Sequence, residues 1–338
     1  MTAYKQIPEY KNIPEEQFFN EIVPAQKPIV IRDFAKHWPI VDAAKSGPNE
    51  FVGYLNRFYA GGKANIALGH PCINGRFFYT DDMQGVNFIR GDERLDLFLF
   101  RLLELAEKEV YPAVSIQNIS LSDILPGLNN ENKSSFFPDV EPRLWLGNEG
   151  TVSTHYDGSD NVACVIAGRR RFTLFPPEQT ANLYPGSLNF TPAGAPVSLV
   201  NVHDPDLDRY PRFRTALNHA YSAELGPGDA IFMPMLWWHN VDSLAKVNGL
   251  MNYWWTGSGA KDAASPTPID SLSMAILAMR KLTPAQRNSW RYLFDHYLFK
   301  QGVDPVSYIP EPCQHVLGEL SPEDERSIKD YLIEKLQQ

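Results

Sequence analysis

A His-x-Asp triplet, His155-Tyr156-Asp157, most constrains how this chain can fold, because it lies between two segments with the residue pattern of strands. Successive side chains of a strand point to opposite faces, so we expect His155 and Asp157 to project together and Tyr156 to project away. The best candidate for a third ligand is His239, which follows a turn and a β-like run. Two histidines and one carboxylate on one face of a metal, with other positions open, form the facial triad of non-haem Fe(II) oxygenases.

The surrounding residues favour a metal site over a chance surface pair, which is the commoner origin of an isolated His-x-Asp. The sequence Gly-Asn-Glu-Gly at 147–150 precedes the triplet, and the strand-like segment GRRRFTLFPP at 168–177 follows it. A Pro-Gly-Asp turn at 227–229 and a Trp-Trp-His sequence at 237–239 accompany the third ligand. The sequence therefore predicts one divalent metal, natively Fe(II), bound by the two histidines and the aspartate.

The fold class follows from short apolar runs, separated by Pro- and Gly-containing turns, that recur from about residue 111 to 258. This pattern predicts a mainly β fold, a jelly roll (double-stranded β-helix) of the cupin kind, with a catalytic core at 113–258. Residues 1–112 contain a β-branched run and an amphipathic helical pattern, and we predict an N-terminal α/β region that packs on the barrel. The Pro-, Asn- and Asp-rich segment 176–208 predicts a long loop, with His203 as a feature of that loop.

A small, polar, Pro-rich linker at 256–268 precedes a helical C-terminal region, residues 269–338. Thr283 begins a capping box with proline at the first helical position, and Ser321 begins a last helix. These helices carry more large apolar residues than isolated helices need for solubility: Leu272, Ile276, Met279, Trp290, Phe294 and Tyr297. We expect them to form a homodimer interface, the alternative being that they cover their own barrel.

Composition excludes some classes of protein. Acidic residues outnumber basic ones by 40 to 31, which argues against a general nucleic-acid binder but not against a local basic pocket. No stretch approaches the roughly 18 apolar residues of a membrane span, and the N-terminus lacks the order of a signal peptide. The 3 cysteines are too few and too scattered for a disulfide framework. We therefore expect a cytoplasmic protein that binds neither membrane nor nucleic acid directly.

Segments 144–185, 225–243 and 248–257 resemble the cupin-like JmjC Fe(II)/2-oxoglutarate dioxygenases in motif order, spacing and turn chemistry. Within that family they resemble the branch that hydroxylates asparagine in hypoxia-inducible factor, and the similarity spans most of residues 10–258. The resemblance implies a jelly roll, Fe(II) on the three ligands above, 2-oxoglutarate and O2 as cosubstrates, and a helical dimerisation region.

The resemblance also implies residues that contact the cosubstrate. Arg170 falls where the related hydroxylases have a lysine that binds the distal carboxylate of 2-oxoglutarate, and arginine keeps the charge in a different shape. Its strand parity with Phe172 and Leu174 allows it to point into the barrel, and the alternative is that the three consecutive arginines form a solvated strand end. Four further positions match residues near the cosubstrate: Asn161, Asn252, Trp254 and Gln117.

Two positions depart from the family pattern. The segment 152–154 is one residue shorter than the family segment with a cosubstrate-binding threonine, so either Thr154 or Ser153 could take that role. Ser115 occupies the position of a family tyrosine.

Three functions remain open from the sequence. The leading hypothesis is an Fe(II)- and 2-oxoglutarate-dependent oxygenase that hydroxylates a protein side chain, a peptide or a small metabolite. The second is a cupin metalloenzyme that does not use 2-oxoglutarate. The third, a non-catalytic cupin-like binding protein, is disfavoured by the intact triad of His155, Asp157 and His239.

Overall fold

The computed structural model describes residues 4–188, 190–192, 194–256, 267–300 and 304–337. The chain divides into two compact units, with the boundary between Ala260 and Lys261. Within the described ranges, no helix is both long and apolar enough to cross a membrane.

The first unit contains all the strands that the structure describes. They are β1 (Lys5–Gln6), β2 (Glu9–Lys11), β3 (Ile29–Arg32), β4 (Lys63–Gly69), β5 (Arg76–Phe77), β6 (Phe88–Arg94), β7 (Ala113–Ser120), β8 (Arg143–Gly147), β9 (Gly150–His155), β10 (Asp160–Ala167), β11 (Arg170–Phe175), β12 (Tyr221–Leu225), β13 (Ala230–Met233), β14 (Trp238–Ser243) and β15 (Asn248–Trp255).

These strands form two mixed sheets, which confirms the prediction of a mainly β fold. The six-stranded sheet has the order β1-β12-β11-β14-β9-β5, and the nine-stranded sheet has the order β2-β3-β13-β10-β15-β8-β7-β4-β6. Strands from residues 1–112 therefore pair directly with strands of the predicted core in both sheets. Side chains of alternate residues fill the space between the sheets, among them Phe172, Leu174, Val165 and Ile231.

The helices of the first unit are α1 (Glu15–Gln17), α2 (Val23–Ala25), α3 (Pro39–Ser46), α4 (Pro48–Asn56), α5 (Leu95–Ala106), α6 (Leu121–Ile124), α7 (Leu128–Glu131) and α8 (Phe213–Leu217). A π-helical turn, Phe18–Ile22, joins α1 to α2. Phe51 of α4 and Phe98 of α5 are buried in a second core with Leu144 and Met251 from the nine-stranded sheet. Burial of each such side chain contributes about 1.5–3 kcal/mol, so this core fixes the sheet on which several site residues lie.

A glycine turn determines where β11 begins. Gly168 has φ +72°, and a Cβ there would lie 2.5 Å from the carbonyl oxygen of Val247. Because only glycine fits such a backbone without strain, the chain turns sharply out of β10. Arg170 thereby becomes the first residue of β11.

Segment 185–203, by which we mean its described residues (all but 189 and 193), is part of the predicted loop and extends the edge of the six-stranded sheet. Val197 forms an isolated bridge with His155, and the Ser198 N–H donates to the Thr154 carbonyl at 2.7 Å. Beyond this point, His203 Nε2 lies 2.8 Å from Oδ1 of Asp242 on β14. His203 therefore joins segment 185–203 to the sheet, a role that the sequence did not predict.

The second unit contains three helices: α9 (Pro268–Met279), α10 (Pro284–Tyr297) and α11 (Pro322–Gln337). The predicted capping box is confirmed, since the Gln286 N–H donates to Thr283 Oγ1 and the Thr283 N–H donates to Gln286 Oε1. Ser321 caps α11 by accepting the Asp324 N–H. None of the three helices contains a buried residue.

We predict that the His203–Asp242 pair stabilises the fold in a pH-dependent way. The hydrogen bond to Asp242 raises the pKa of His203. Burial and the positive charges of Arg171 and Arg76 act to lower this pKa, but the hydrogen bond outweighs them. A raised pKa means that this stabilisation is complete below pH about 6.5 and disappears as pH rises through the pKa of the folded state. Urea unfolding should show His203→Gln to be less stable at pH 6 by about 1 kcal/mol or less, since the imidazole is half exposed. An equal loss at pH 9 would contradict this assignment.

We also propose that helices α9–α11 mediate homodimerisation. Large apolar side chains are exposed on all three helices, including Leu272, Trp290, Leu293 and Ile333. Exposed apolar surface of this extent favours association with a second copy, and two-fold dimers are the commonest solution. Light scattering should give a dimer for the full chain and a folded monomer for a chain that ends at Gly259. A monomeric full-length protein at micromolar concentration would refute the proposal.

Candidate metal centre

Antiparallel pairing of β9 with β14 brings the two predicted histidine ligands together. His155 is the direct partner of His239 in this register, and their ring centroids lie 4.3 Å apart. Asp157 follows β9, and its Oδ2 lies 3.8 Å from His239 Nε2. One potential ligand atom from each of the three residues lies within 4.8 Å of the others. Among the described residues these are the only three histidines, cysteines or carboxylates so placed.

Backbone carbonyls orient both imidazoles. His155 Nδ1 lies 2.8 Å from the carbonyl oxygen of Ser153, and His239 Nδ1 lies 3.0 Å from that of Trp237. A carbonyl can only accept, so Nδ1 carries the proton in each ring and Nε2 keeps its lone pair. This is the arrangement found for metal-binding histidines, whose second nitrogen donates to a carbonyl or carboxylate.

Three donors hold Asp157 in place. Asn161 Nδ2 and Trp254 Nε1 each donate to Asp157 Oδ2 at 3.0 Å. The N–H of Leu236, which adopts a left-handed φ of 64°, donates to the Asp157 carbonyl at 3.0 Å. The carboxylate is thus fixed before any metal binds, and no described side chain donates to Oδ1.

Burial sets the protonation of the site. It lowers the pKa of His155 to about 4, with a further contribution from the charge of His239, so His155 is neutral near pH 7. Burial acts to raise the pKa of Asp157, but the neighbouring imidazoles and the donors Trp254 and Asn161 outweigh it and keep the pKa below its usual value. Neutral imidazole and ionised carboxylate are the forms that bind metal ions.

Arg170 faces the same space between the sheets as the three metal-ligand candidates. Its side chain is only 6% exposed, and the part of the chain that the structure describes offers it no hydrogen bond or ion pair, with Nε buried and unpartnered. Burial lowers its pKa to about 10, so the guanidinium still carries its charge at neutral pH. An isolated buried cation is strongly destabilising unless an anion accompanies it.

The hydroxyls of Ser153 and Thr154 have different surroundings. Ser153 Oγ donates to the Phe77 carbonyl and accepts from Arg76 Nε. Thr154 Oγ1 is buried and has no partner among the described residues. A shift in the pairing of β9 with β14 near Val241 separates the environments of the two residues. Of the two, Thr154 is therefore the residue with a hydroxyl free for a ligand.

Asn252 connects Asn161 and Trp145 in a chain of polar contacts, which does not include Gln117. Asn252 donates to Asn161 Oδ1 at 3.4 Å and accepts from Trp145 Nε1 at 2.8 Å. The sequence did not predict a role for Trp145, which packs against the core between the two sheets. Gln117 is partly buried on β7, and its side chain forms no hydrogen bond with any described residue.

Comparison with known proteins agrees with this architecture. The sequence profile of the cupin-like domain family matches residues 15–261. The chain is 37% identical to human HSPB1-associated protein 1 over 141 residues, which is 41% of this chain and only 26% of that protein. Lysine-specific demethylase JMJ31 of Arabidopsis thaliana is 36% identical over 113 residues, 33% of this chain and 20% of that protein. Mouse tRNA wybutosine-synthesizing protein 5 is 26% identical over 272 residues, 73% of this chain and 77% of that protein. The chain is therefore a member of the cupin-like domain family, and its relatives are JmjC-type cupin proteins.

Proposed function

We propose that this protein is an Fe(II)- and 2-oxoglutarate-dependent oxygenase that hydroxylates a protein side chain or a small metabolite. The observation that carries the proposal is a buried, unpaired guanidinium, Arg170, in the same interior as two imidazoles with Nε2 free for a ligand bond and one carboxylate. The buried guanidinium requires an anionic ligand, and the two imidazoles with the carboxylate require a metal ion. A 2-oxo dicarboxylic acid answers both requirements at once.

The residues fit Fe(II). His155 and His239 offer Nε2, and Asp157 offers the carboxylate oxygen that Asn161 and Trp254 leave free. Three protein ligands leave positions open for a bidentate 2-oxo acid and O2. Iron bound there would supply the reduction of O2 that couples oxidative decarboxylation of 2-oxoglutarate to hydroxylation of the substrate.

The separation along the sheet fits a five-carbon dicarboxylate. Leu174 pairs with His239, and Arg170 is four residues earlier on β11, which at ~3.3 Å per residue corresponds to about 13 Å. An arginine side chain that extends along the sheet towards the triad would span part of this distance, and the cosubstrate would span the rest. Thr154, with its free buried hydroxyl, and Asn252 would supply polar contacts to it.

The two alternatives make different demands on Arg170. A cupin metalloenzyme without 2-oxoglutarate would use the triad but would need an acidic substrate to pair with Arg170. A non-catalytic binding protein could use Arg170 but would have no need for oriented imidazoles. The proposed oxygenase uses both groups with a single cosubstrate.

The metal assignment predicts the effect of Asp157→Ala. Loss of even an outer partner of a metal ligand weakens metal binding by ~10–100-fold, so loss of a ligand should weaken Fe(II) binding by at least that much. Iron content after anaerobic loading and desalting measures the effect. Asp160→Asn is the matched control, because this buried carboxylate accepts the Met235 N–H and lies outside the triad. Full iron occupancy in Asp157→Ala would disprove the assignment.

The cosubstrate assignment predicts two opposite effects of Arg170→Met. Removal of one partner of a buried ion pair costs ~3–5 kcal/mol, so 2-oxoglutarate affinity should fall at least about 100-fold. The ligand-free variant should also melt at a higher temperature than the unaltered protein, since a buried charge without a partner has been removed. Arg171→Met is the control, because Arg171 lies on the opposite face of β11 and pairs with Glu224 at 3.4 Å.

The function itself is tested by the O2-dependent conversion of 2-oxoglutarate to succinate. The iron-loaded protein should release succinate slowly even without its substrate, and Arg170→Met should not. Succinate release that is unaffected by Arg170→Met would place the cosubstrate elsewhere. No release under any condition, with iron bound, would favour the metalloenzyme that does not use 2-oxoglutarate.

A further inference from the structure

We propose a second binding site, for a phosphate group, in a cavity of about 380 Å³ on the opposite side of the six-stranded sheet from the metal centre. The cavity lies between β5, the turn after it and segment 185–203. Its lining includes Arg76, His203, Asn74, Asn201, Phe78 and Thr151. We refer to it as the Arg76 cavity.

The Arg76 cavity is separate from the metal centre. His203 binds Asp242, and Thr151 Oγ1 donates to the same Asp242 oxygen at 2.8 Å. On β14, Asp242 alternates with Val241, which packs in the core between the two sheets. Side chains of neighbouring strand residues point to opposite faces, so the cavity belongs to the outer face of the sheet.

Arg76 is held in position without a counter-ion. Its guanidinium carbon lies 3.8 Å from the centre of the Phe78 ring, and Nε donates to Ser153 Oγ at 3.4 Å. Nη2 is buried and unpartnered, and no described carboxylate lies within ion-pair distance of the group. Burial lowers the pKa of Arg76, which means that the environment disfavours its charge until an anion binds.

His203 adds a second donor to the cavity when it is protonated, because its Nε2–H is bound to Asp242 and only the imidazolium form carries a proton on Nδ1 as well. Its Nε2 is taken up by Asp242, while Nδ1 has no partner among the described residues. Arg76 and Arg171 are both close enough to His203 for their charges to oppose its protonation. Two basic side chains, Arg76 and His203, therefore line the cavity near Thr151, and the buried carboxylate of Asp242 pairs with His203. Arg171 lies nearby but pairs with Glu224. The cavity lining adds only Asp81, which is exposed to water.

The arrangement of donors favours a tetrahedral oxyanion over a carboxylate. A carboxylate is gripped best by one planar edge of a guanidinium, and the Nε edge of Arg76 is already engaged by Ser153. The remaining donors come from separate elements: Arg76 on β5, His203 in segment 185–203, and the side-chain amide of Asn74 in the preceding turn. A phosphate group presents oxygens in several directions and can meet donors from each of them.

Sulfate is the first probe, because it is tetrahedral like phosphate and stays fully ionised across the neutral pH range. Full-length, metal-free protein should bind sulfate saturably at pH 6.5 in calorimetry at constant ionic strength. Arg76→Gln should weaken binding at least about tenfold, as expected for loss of a charged hydrogen bond. Arg90→Gln is the matched control: Arg90 also lies near a phenylalanine ring and donates to segment 185–203, at Pro192, but does not line the cavity.

Arg170→Gln distinguishes this site from the metal centre. Sulfate binding that persists in Arg170→Gln and is lost in Arg76→Gln supports the proposal. The reverse pattern would place the anion inside the barrel and overturn the proposal, while leaving the proposed oxygenase function intact. Equal affinity in all variants, or no saturable binding, also overturns it.

Two further measurements keep the test independent of how well Arg76→Gln folds. Crystals soaked in selenate should give an anomalous peak beside Arg76, and a peak elsewhere or none would contradict the assignment. Inorganic phosphate and glycerol phosphate should both compete with sulfate. Tighter binding of inorganic phosphate would identify the ligand as the free ion, and tighter binding of glycerol phosphate would identify it as a phosphate ester. Succinate that competes better than either would overturn the choice of a phosphate group.

Discussion

The register between β9 and β14 is the constraint on which the candidate site depends. It places His155 directly opposite His239 and brings their rings to within 4.3 Å. A slip of one residue would turn one imidazole to the outer face, because side chains alternate along a strand. The apolar residues that flank the ligands, such as Val241 and Leu174, resist such a slip, since it would expose them to water. The packing of the core and the geometry of the metal site are therefore fixed by the same contacts.

The interior of the barrel combines two electrostatic demands that the protein alone does not satisfy. The Asn161 and Trp254 donors already neutralise part of the negative charge of Asp157. Together with His155 and His239, this carboxylate can bind a metal cation. Arg170 lies four residues along β11 from Leu174, the partner of His239, and its buried charge requires an anion. Buried charges of this kind cost stability unless they are paired. A metal ion and an acidic cosubstrate that bind together would pair both the carboxylate and the guanidinium in this apolar interior.

The sequence predicted the elements of the site that depend on strand parity. His155 and Asp157 flank one tyrosine, so periodicity predicted that these two side chains share a face. For Arg170, the parity of Phe172 and Leu174 allowed an inward position, and its proposed role came from the family resemblance. The capping box at Thr283 was equally local. Periodicity could not choose between Ser153 and Thr154, because an irregularity in the pairing of β9 with β14 resets the alternation there.

The sequence could not predict contacts between segments that are far apart in the chain. His203 and Asp242 are 39 residues apart, and their pairing depends on the path of segment 185–203 across the sheet. The bonds from Asn161 and Trp254 to the Asp157 carboxylate likewise depend on side-chain conformations that no spacing rule predicts. Trp145 was missed because its strand contains apolar residues on both faces. These are the features in which tertiary packing, and not local pattern, determines the structure.

The central claim is that one interior binds Fe(II) and 2-oxoglutarate side by side. The most direct test is the visible absorption spectrum of the protein under nitrogen, recorded with Fe(II) alone, 2-oxoglutarate alone and both together. A charge-transfer band that develops only when both are present, and disappears in His239→Ala, is the result that we predict. Tight binding of Fe(II) with a spectrum that 2-oxoglutarate does not change would contradict the account.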